Sequence, residues 1–140
     1  MGYKNAVAKA ASGYNSGLEN YIAGNSLDAS SGTFISLTGG YAVATGAGVS
    51  IAGVSVTEKV FDADNQTVDM AKVSIVPTDA DVVYEISISG GTITQADVGK
   101  YYDLTAAQLV DGATESTTTG QLQMVAFISA TLGQFKIVNL

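Results

Sequence analysis

The chain has 140 residues, one proline, 16 glycines and no cysteine or histidine, and its six basic residues are all lysine. That length fits one domain able to bury about two thirds of its unfolded surface. The missing Cys, His and Arg remove disulfides, thiolate or imidazole catalysis and guanidinium recognition of phosphate. The formal charge of −7 argues against nucleic acid as a partner. Eleven of the 13 acids lie between Glu58 and Glu115, whereas residues 1–57 balance to neutrality.

From Met1 to about Asn25 the apolar positions Tyr3, Val7, Ala10, Tyr14, Leu18, Tyr21 and Ile22 step by threes and fours, the spacing of one helix face. Gly13 and Gly17 oppose a continuous helix, each by about 1 kcal/mol relative to alanine. Two readings follow: one or two short helices packed on a barrel, or an extended arm that orders on a neighbouring subunit. Tyr3, Val7, Tyr14, Leu18, Tyr21 and Ile22 are the candidate partner-binding residues, because tyrosine supplies amphipathic contact area.

Phe34–Leu37 and Tyr41–Val43 read as strands joined by a Gly39-Gly40 turn. The run Gly46–Gly53 lacks both the GxGxxG and the GK[ST] pattern, so its glycines serve turns and bends rather than phosphate binding. Between Gly53 and Phe61, Val54, Val56 and Val60 alternate with Ser55, Thr57 and Lys59, which predicts a strand. An acidic loop follows from Phe61 to Asp69, then a strand over 70–76 that stops at Pro77.

The clearest strand is VVYEISI, in which Val82, Tyr84, Ile86 and Ile88 share the core face. Gly90-Gly91 ends it, Thr94–Asp97 reads as the capping box of one short helical turn, and Tyr101–Leu104 extend again. Residues 105–110 are a helical turn or a strand capped by Asp111-Gly112, and ESTTTG (115–120) is a polar loop. Leu122, Met124, Ala126 and Ile128 form a strand that is apolar on both faces toward its end, which suits burial on both sides or contact with a partner. Ser129–Gly133 turns into a closing strand, Phe135–Val138.

The predicted fold is mainly β: a small antiparallel β-barrel or sandwich with one short helical turn and an N-terminal arm. Residues 1–45 form the arm and a loosely specified segment, and residues 46–140 the barrel domain.

Catalysis would have to run on carboxylates, lysines, tyrosines and hydroxyls. The acid pairs Asp79/Asp81 and Asp62/Asp64 are the glycosidase-like candidates, but both fall in turns, where acids serve local hydrogen bonds. No GxSxG or SxxK is present. The best metal candidate is a calcium loop at Asp62, Asp64, Asn65 and Asp69, which departs from the EF-hand at Gln66 and Thr67. No enzyme, cofactor or metal site is therefore expected. The chain lacks an apolar run of about 18–20 residues and a leader-like start, so neither membrane insertion nor a leader peptide is expected.

From GVSIAGVSVTEKVFDADNQTVDMAKVSIVP through VVYEI, TQADVGKYYDL, GQLQMVAFIS and FKIVN, residues 46–140 resemble the small β-barrel decoration, or cement, proteins of tailed-bacteriophage heads. The resemblance rests on the order and spacing of elements and on the turn Ala96–Lys100. It implies a structural virion protein, made in the host cytoplasm, that binds the outer surface of an icosahedral head as a homo-oligomer, often a trimer. Its partner there is the major capsid protein, whose contacts it holds together. The alternative is a glycan- or calcium-dependent binding module of a virion fibre or bacterial surface.

Overall fold

The structure, a computed structural model, describes residues 7–9, 17–78, 82–106 and 108–140. The described residues are mainly β, as expected, and are organised around a five-stranded barrel. In chain order the strands are β1 (Val7–Lys9), β2 (Glu19–Ile22), β3 (Asp28–Ala29), β4 (Phe34–Thr38), β5 (Tyr41–Ala44), β6 (Gly53–Ser55) and β7 (Lys59–Val60). They continue as β8 (Lys72–Pro77), β9 (Val83–Ser89), β10 (Tyr101–Leu104), β11 (Val110–Ser116), β12 (Leu122–Ser129) and β13 (Leu132–Ile137).

The barrel runs β9-β11-β10-β12-β13 and closes through β13 on β9, with Phe135 opposite Tyr84 and Leu132 opposite Ser87. Its pairings are antiparallel except for β9 with β11, and β1 adds to β9 beside β11. Closure follows from the alternation in β9: Tyr84, Ile86 and Ile88 all point into the barrel and are buried there. Ile93, Tyr102, Leu104, Val110, Leu122, Met124 and Phe135 join them in this core. The Tyr102 and Phe135 rings meet edge to face at 5.8 Å.

The two-faced apolarity of β12 has a local cause. Its register with β13 shifts between Met124 and Ala126 and again between Phe127 and Ser129. Each irregularity changes which side chains face inward, so Leu122 and Met124 are buried, Phe127 packs against the core and Ile128 is exposed. Of the two options that the sequence left open for this strand, burial on both sides does not hold at Ile128, which is 43% exposed.

The second sheet runs β2-β8-β6-β4-β5, and a parallel bridge between Ala23 and Ala42 links the chain just past β2 to β5. Gly39-Gly40 makes the expected two-residue hairpin between β4 and β5, both glycines at positive φ (59° and 87°), the backbone that such a turn requires. At Gly53 a side chain would run into the Val76 carbonyl oxygen, so only glycine lets β6 lie against β8. In β4, Phe34 faces the barrel core while its neighbour Ile35 faces a second core. That second core contains Ala23, Leu27, Ala29, Ala42, Phe61, Val73 and Ile75.

This sheet crosses the 45/46 division expected from composition, because β4 and β5 pair within the same sheet as β6 and β8. The predicted strand 53–61 is also broken. β6 ends at Ser55, β7 pairs with β3, and Val60 is 69% exposed while Phe61 takes the core position.

The two units are joined by side-chain amides. Gln108 accepts from Phe34 N–H at 2.6 Å and donates to the Thr45 carbonyl at 3.1 Å. Gln121 donates to the Gly46 carbonyl at 2.8 Å and to that of Val49, while accepting from Leu104 N–H at 2.7 Å. Asn139 accepts from Ile51 N–H at 2.8 Å and donates to the Ile51 carbonyl at 3.0 Å. Backbone groups of Phe34, Thr45, Gly46, Val49 and Ile51 thus find partners on the barrel side. Among the described residues, no fully buried side-chain N or O atom lacks a hydrogen-bond partner.

Candidate interaction surface

The six candidate residues of the N-terminal stripe do not form a helix face among the described residues. Tyr3 and Tyr14 lie outside those residues. Val7 stands in β1 opposite Glu85. Leu18 is 54% exposed just ahead of β2, and Tyr21 and Ile22 lie within β2, opposite Val73 and Lys72. Strand geometry puts Tyr21 on the face shared by Glu19, and the phenol donates to Glu19 Oε1 at 2.9 Å. That hydrogen bond, with burial and the Glu19 charge, raises the Tyr21 pKa. The Tyr21 ring packs against the second core, so this part of the stripe is already used within the chain. The helical reading of residues 18–22 is corrected: the four-residue step from Leu18 to Ile22 keeps one face in a strand as well as in a helix, and β8 gives the segment an edge to pair with.

The acidic loop after β7 is built from its stem. Asn65 is only 1% exposed; its Nδ2 donates to the Ala23 carbonyl at 2.6 Å and its Oδ1 accepts from Ala71 N–H at 3.0 Å. Its own carbonyl accepts from Met70 N–H at 2.6 Å, and Met70 takes a positive φ of 50° to make that bond. Gln66 N–H donates to Asn25 Oδ1 at 2.7 Å. The amide of the supposed calcium loop is therefore turned inward as a structural pin. Outside, Asp69 is raised above the usual carboxylate range, first by its hydrogen bond to Asp62 and then by that neighbour's charge. Among the described residues no group of three or more acidic side chains is arranged to hold a metal ion. Asp62 and Asp64 stay on this exposed loop, and Asp79 and Asp81 lie outside the described residues.

A second charged cluster sits on the barrel. Lys100 Nζ reaches Asp97 Oδ1 at 3.0 Å and Glu115 Oε2 at 2.6 Å. Asp97 closes the expected capping box, its carboxylate accepting from Thr94 N–H at 2.8 Å. Lys100 first, and the Thr94 amide next, hold Asp97 below its ordinary pKa, while the two acids, Glu115 foremost, raise Lys100. The Tyr102 hydroxyl points at Glu115 Oε1, 3.4 Å away, and burial, followed by the two acids, pushes its pKa up to about 12. With the lysine held charged and the phenol held protonated, this cluster is an ion-paired brace between β10 and β11 and offers no free base.

A cleft of about 320 Å³ opens between the 46–51 segment and the barrel, lined by residues including Ser50, Asp103, Thr119, Gln121 and Asn139. Among the described residues no aromatic ring lines it, and the amides of Gln121 and Asn139 are committed to backbone groups.

The residues that sequence reasoning missed are Asn65, Gln108, Gln121 and Asn139. Only Asn65 had been singled out, for a different role. Gln108 and Asn139 adopt positive φ (68° and 52°), but no local sequence signal gives that away. A scan against protein-family models gives no match, and neither does a search of the curated proteins.

Proposed function

We propose that this chain is a capsid decoration, or cement, protein that binds the outer surface of an icosahedral phage head and stabilises contacts between major capsid subunits. The reading rests on the ordered series of elements over residues 46–140 that resembles such proteins. The single structural observation that favours it is the placement of the N-terminal segment, which adds β1 to the barrel and β2 to the second sheet. A chain leading into both sheets can transmit a contact made at its start to the whole body. Tyr3, Val7, Tyr14 and Leu18 are the proposed capsid-contacting residues. Tyr21 and Ile22 anchor the segment. The protein acts as a homo-oligomer, a trimer where it sits on a local threefold axis, and its role is structural rather than enzymatic.

The test is a deletion. Because β2 and Ala23 belong to the second sheet, the cut belongs at residue 16 and not deeper in the chain. The protein comprising residues 17–140 is expected to keep its far-ultraviolet dichroism and cooperative melt, and to lose binding to heads stripped of decoration protein. Full retention of binding would count against the assignment.

The alternative, a calcium- or glycan-dependent module, rests on the Asp62–Asp69 loop or the polar cleft. It predicts a rise in melting temperature with calcium or oligosaccharide.

A further inference from the structure

The cleft between the 46–51 segment and the barrel holds about 320 Å³, at the lower end of the roughly 300–1,000 Å³ common for ligand sites. Asp103 reaches it through the alternation of β10: Tyr102 and Leu104 are buried in the barrel core, so Asp103 between them faces the other way and lines the cleft. Its Oδ1 accepts from Gln121 N–H at 3.0 Å, which fixes the carboxylate at the wall. Two carboxylate oxygens carry about four acceptor sites, so most of that capacity is left. Asp103 is the one charged side chain lining the cleft among the described residues, and the lysine nearest to it in sequence, Lys100, is held between Asp97 and Glu115.

The hydrogen-bond inventory of the wall decides what fits there. Its N–H groups are largely spent. Thr119 N–H donates to Ser116 Oγ at 3.1 Å, Gly120 N–H to the Leu140 carbonyl at 2.9 Å and Leu140 N–H to the Gly120 carbonyl at 2.8 Å. Asn139 N–H donates to the Gln121 carbonyl at 3.1 Å, and the Gln121 and Asn139 side-chain amides donate to the carbonyls of Gly46, Val49 and Ile51. What the wall keeps is the Asp103 carboxylate and the hydroxyls of Ser50 and Thr119. An anion finds few donors in such a wall. A calcium ion, which takes about six to eight oxygens with several carboxylates among them, finds one acid. A group that donates hydrogen bonds and carries a single positive charge matches both the spent donors and the lone carboxylate.

We propose that this cleft binds an organic cation, a primary ammonium or a guanidinium group, with Asp103 as its counter-ion and the Ser50 and Thr119 hydroxyls accepting its remaining N–H bonds. Such a site requires neither the decoration role nor its alternative.

In the experiment, full-length protein labelled with nitrogen-15 is titrated at constant ionic strength with N-acetyl-lysine amide, N-acetyl-arginine amide and spermidine. N-acetyl-glutamine amide serves as the uncharged counterpart, and backbone amide shifts are followed by NMR. At least one cation is expected to give saturable shifts centred on Ser50, Thr119, Gly120 and Gln121, with a Kd of about 1–10 mM, and the glutamine probe to give none. Asp103→Asn, which keeps an oxygen for Gln121 N–H, is expected to weaken binding about fivefold or more, whereas Asp28→Asn on exposed β3 leaves it unchanged. Preference for spermidine assigns a free polyamine and preference for the blocked amino acids a protein side chain; both support the site. Shifts that rise without saturating, or that spread over the Asp62–Asp69 loop as strongly as over the cleft, overturn it. Equal binding of the glutamine probe overturns it too, as does full retention of binding by Asp103→Asn. Where Asp103→Asn does not fold, the comparison of charged with uncharged probes on wild type decides the outcome alone.

Discussion

The barrel and the curled second sheet solve the same problem with different materials. The barrel closes on itself around Tyr84, Tyr102, Phe135, Met124 and several Ile and Leu side chains. The second sheet encloses a core in which Ala23, Ala29 and Ala42 stand among Leu27, Ile35, Phe61, Val73 and Ile75. Small side chains let strands approach closely but contribute less apolar area, so the barrel carries more of the burial energy. The second sheet instead draws on the barrel: Phe34 of β4, Val54 of β6 and Ile51 just before β6 join the barrel core, and three amides fasten the backbone of residues 34–51. The lesson is that the stability of one unit is partly borrowed across the junction.

The same deletion in the two cores breaks or sharpens this contrast most strongly. Ile86 and Ile75 are both fully buried. Ile86→Ala, inside a closed barrel that cannot collapse onto the cavity, is expected to cost about 4–5 kcal/mol, and Ile75→Ala about 2–3 kcal/mol. Denaturant unfolding measures both, and the reverse order would contradict the ranking of the cores.

Gln121→Leu comes next. It strips a partner from Leu104 N–H and from the Gly46 and Val49 carbonyls, and is expected to cost about 2–3 kcal/mol. Combined with Gln108→Leu it should also split the single melt into two calorimetric transitions. A melt that stays single would mean that apolar packing alone couples the units.

The two acidic clusters differ in the sign of their pH dependence. Asp97 is depressed in the folded state, so its contribution is present above the ordinary carboxylate pKa of about 3.9 and is lost as pH falls through its folded value. Asp69 is raised, so its contribution is present below about 3.9 and is lost as pH rises through its folded value. Asp97→Asn is therefore expected to lower the melting temperature at pH 7 and to shrink its fall in acid. Asp69→Asn is expected to leave the pH 7 value equal or slightly higher. Equal responses of the two variants would contradict the assignment of one compensated and one repulsive site. The smallest effect is spectroscopic: phenol titration should show one tyrosine near pH 12, absent in Tyr102→Phe.

What could be read from the sequence was what short-range geometry encodes. The alternation of Tyr84, Ile86 and Ile88, the Gly39-Gly40 hairpin and the Thr94–Asp97 capping box each span a few residues, and each stands in the structure as read. What failed depended on distant neighbours. Tyr21 and Ile22 fit a helical period, but β8 offers them an edge. Val60 lost its core place because β7 pairs with β3 rather than extending β6. The Gln108 amide bonds residues 74 and 63 positions away, which no local pattern encodes. Of the candidate site, Tyr21 and Ile22 are half-buried in β2 and Leu18 is exposed, and the inward turn of Asn65 depends on the Ala23 carbonyl, 42 positions away.

The central claim is a place on the head surface, and quantitative protein analysis of gradient-purified, DNA-filled particles tests it most directly. The decoration role predicts this chain in high copy number, at a fixed ratio to the major capsid subunit, with its gentle removal lowering the temperature at which heads release DNA. Absence from the particles, or a few copies in each, would contradict it.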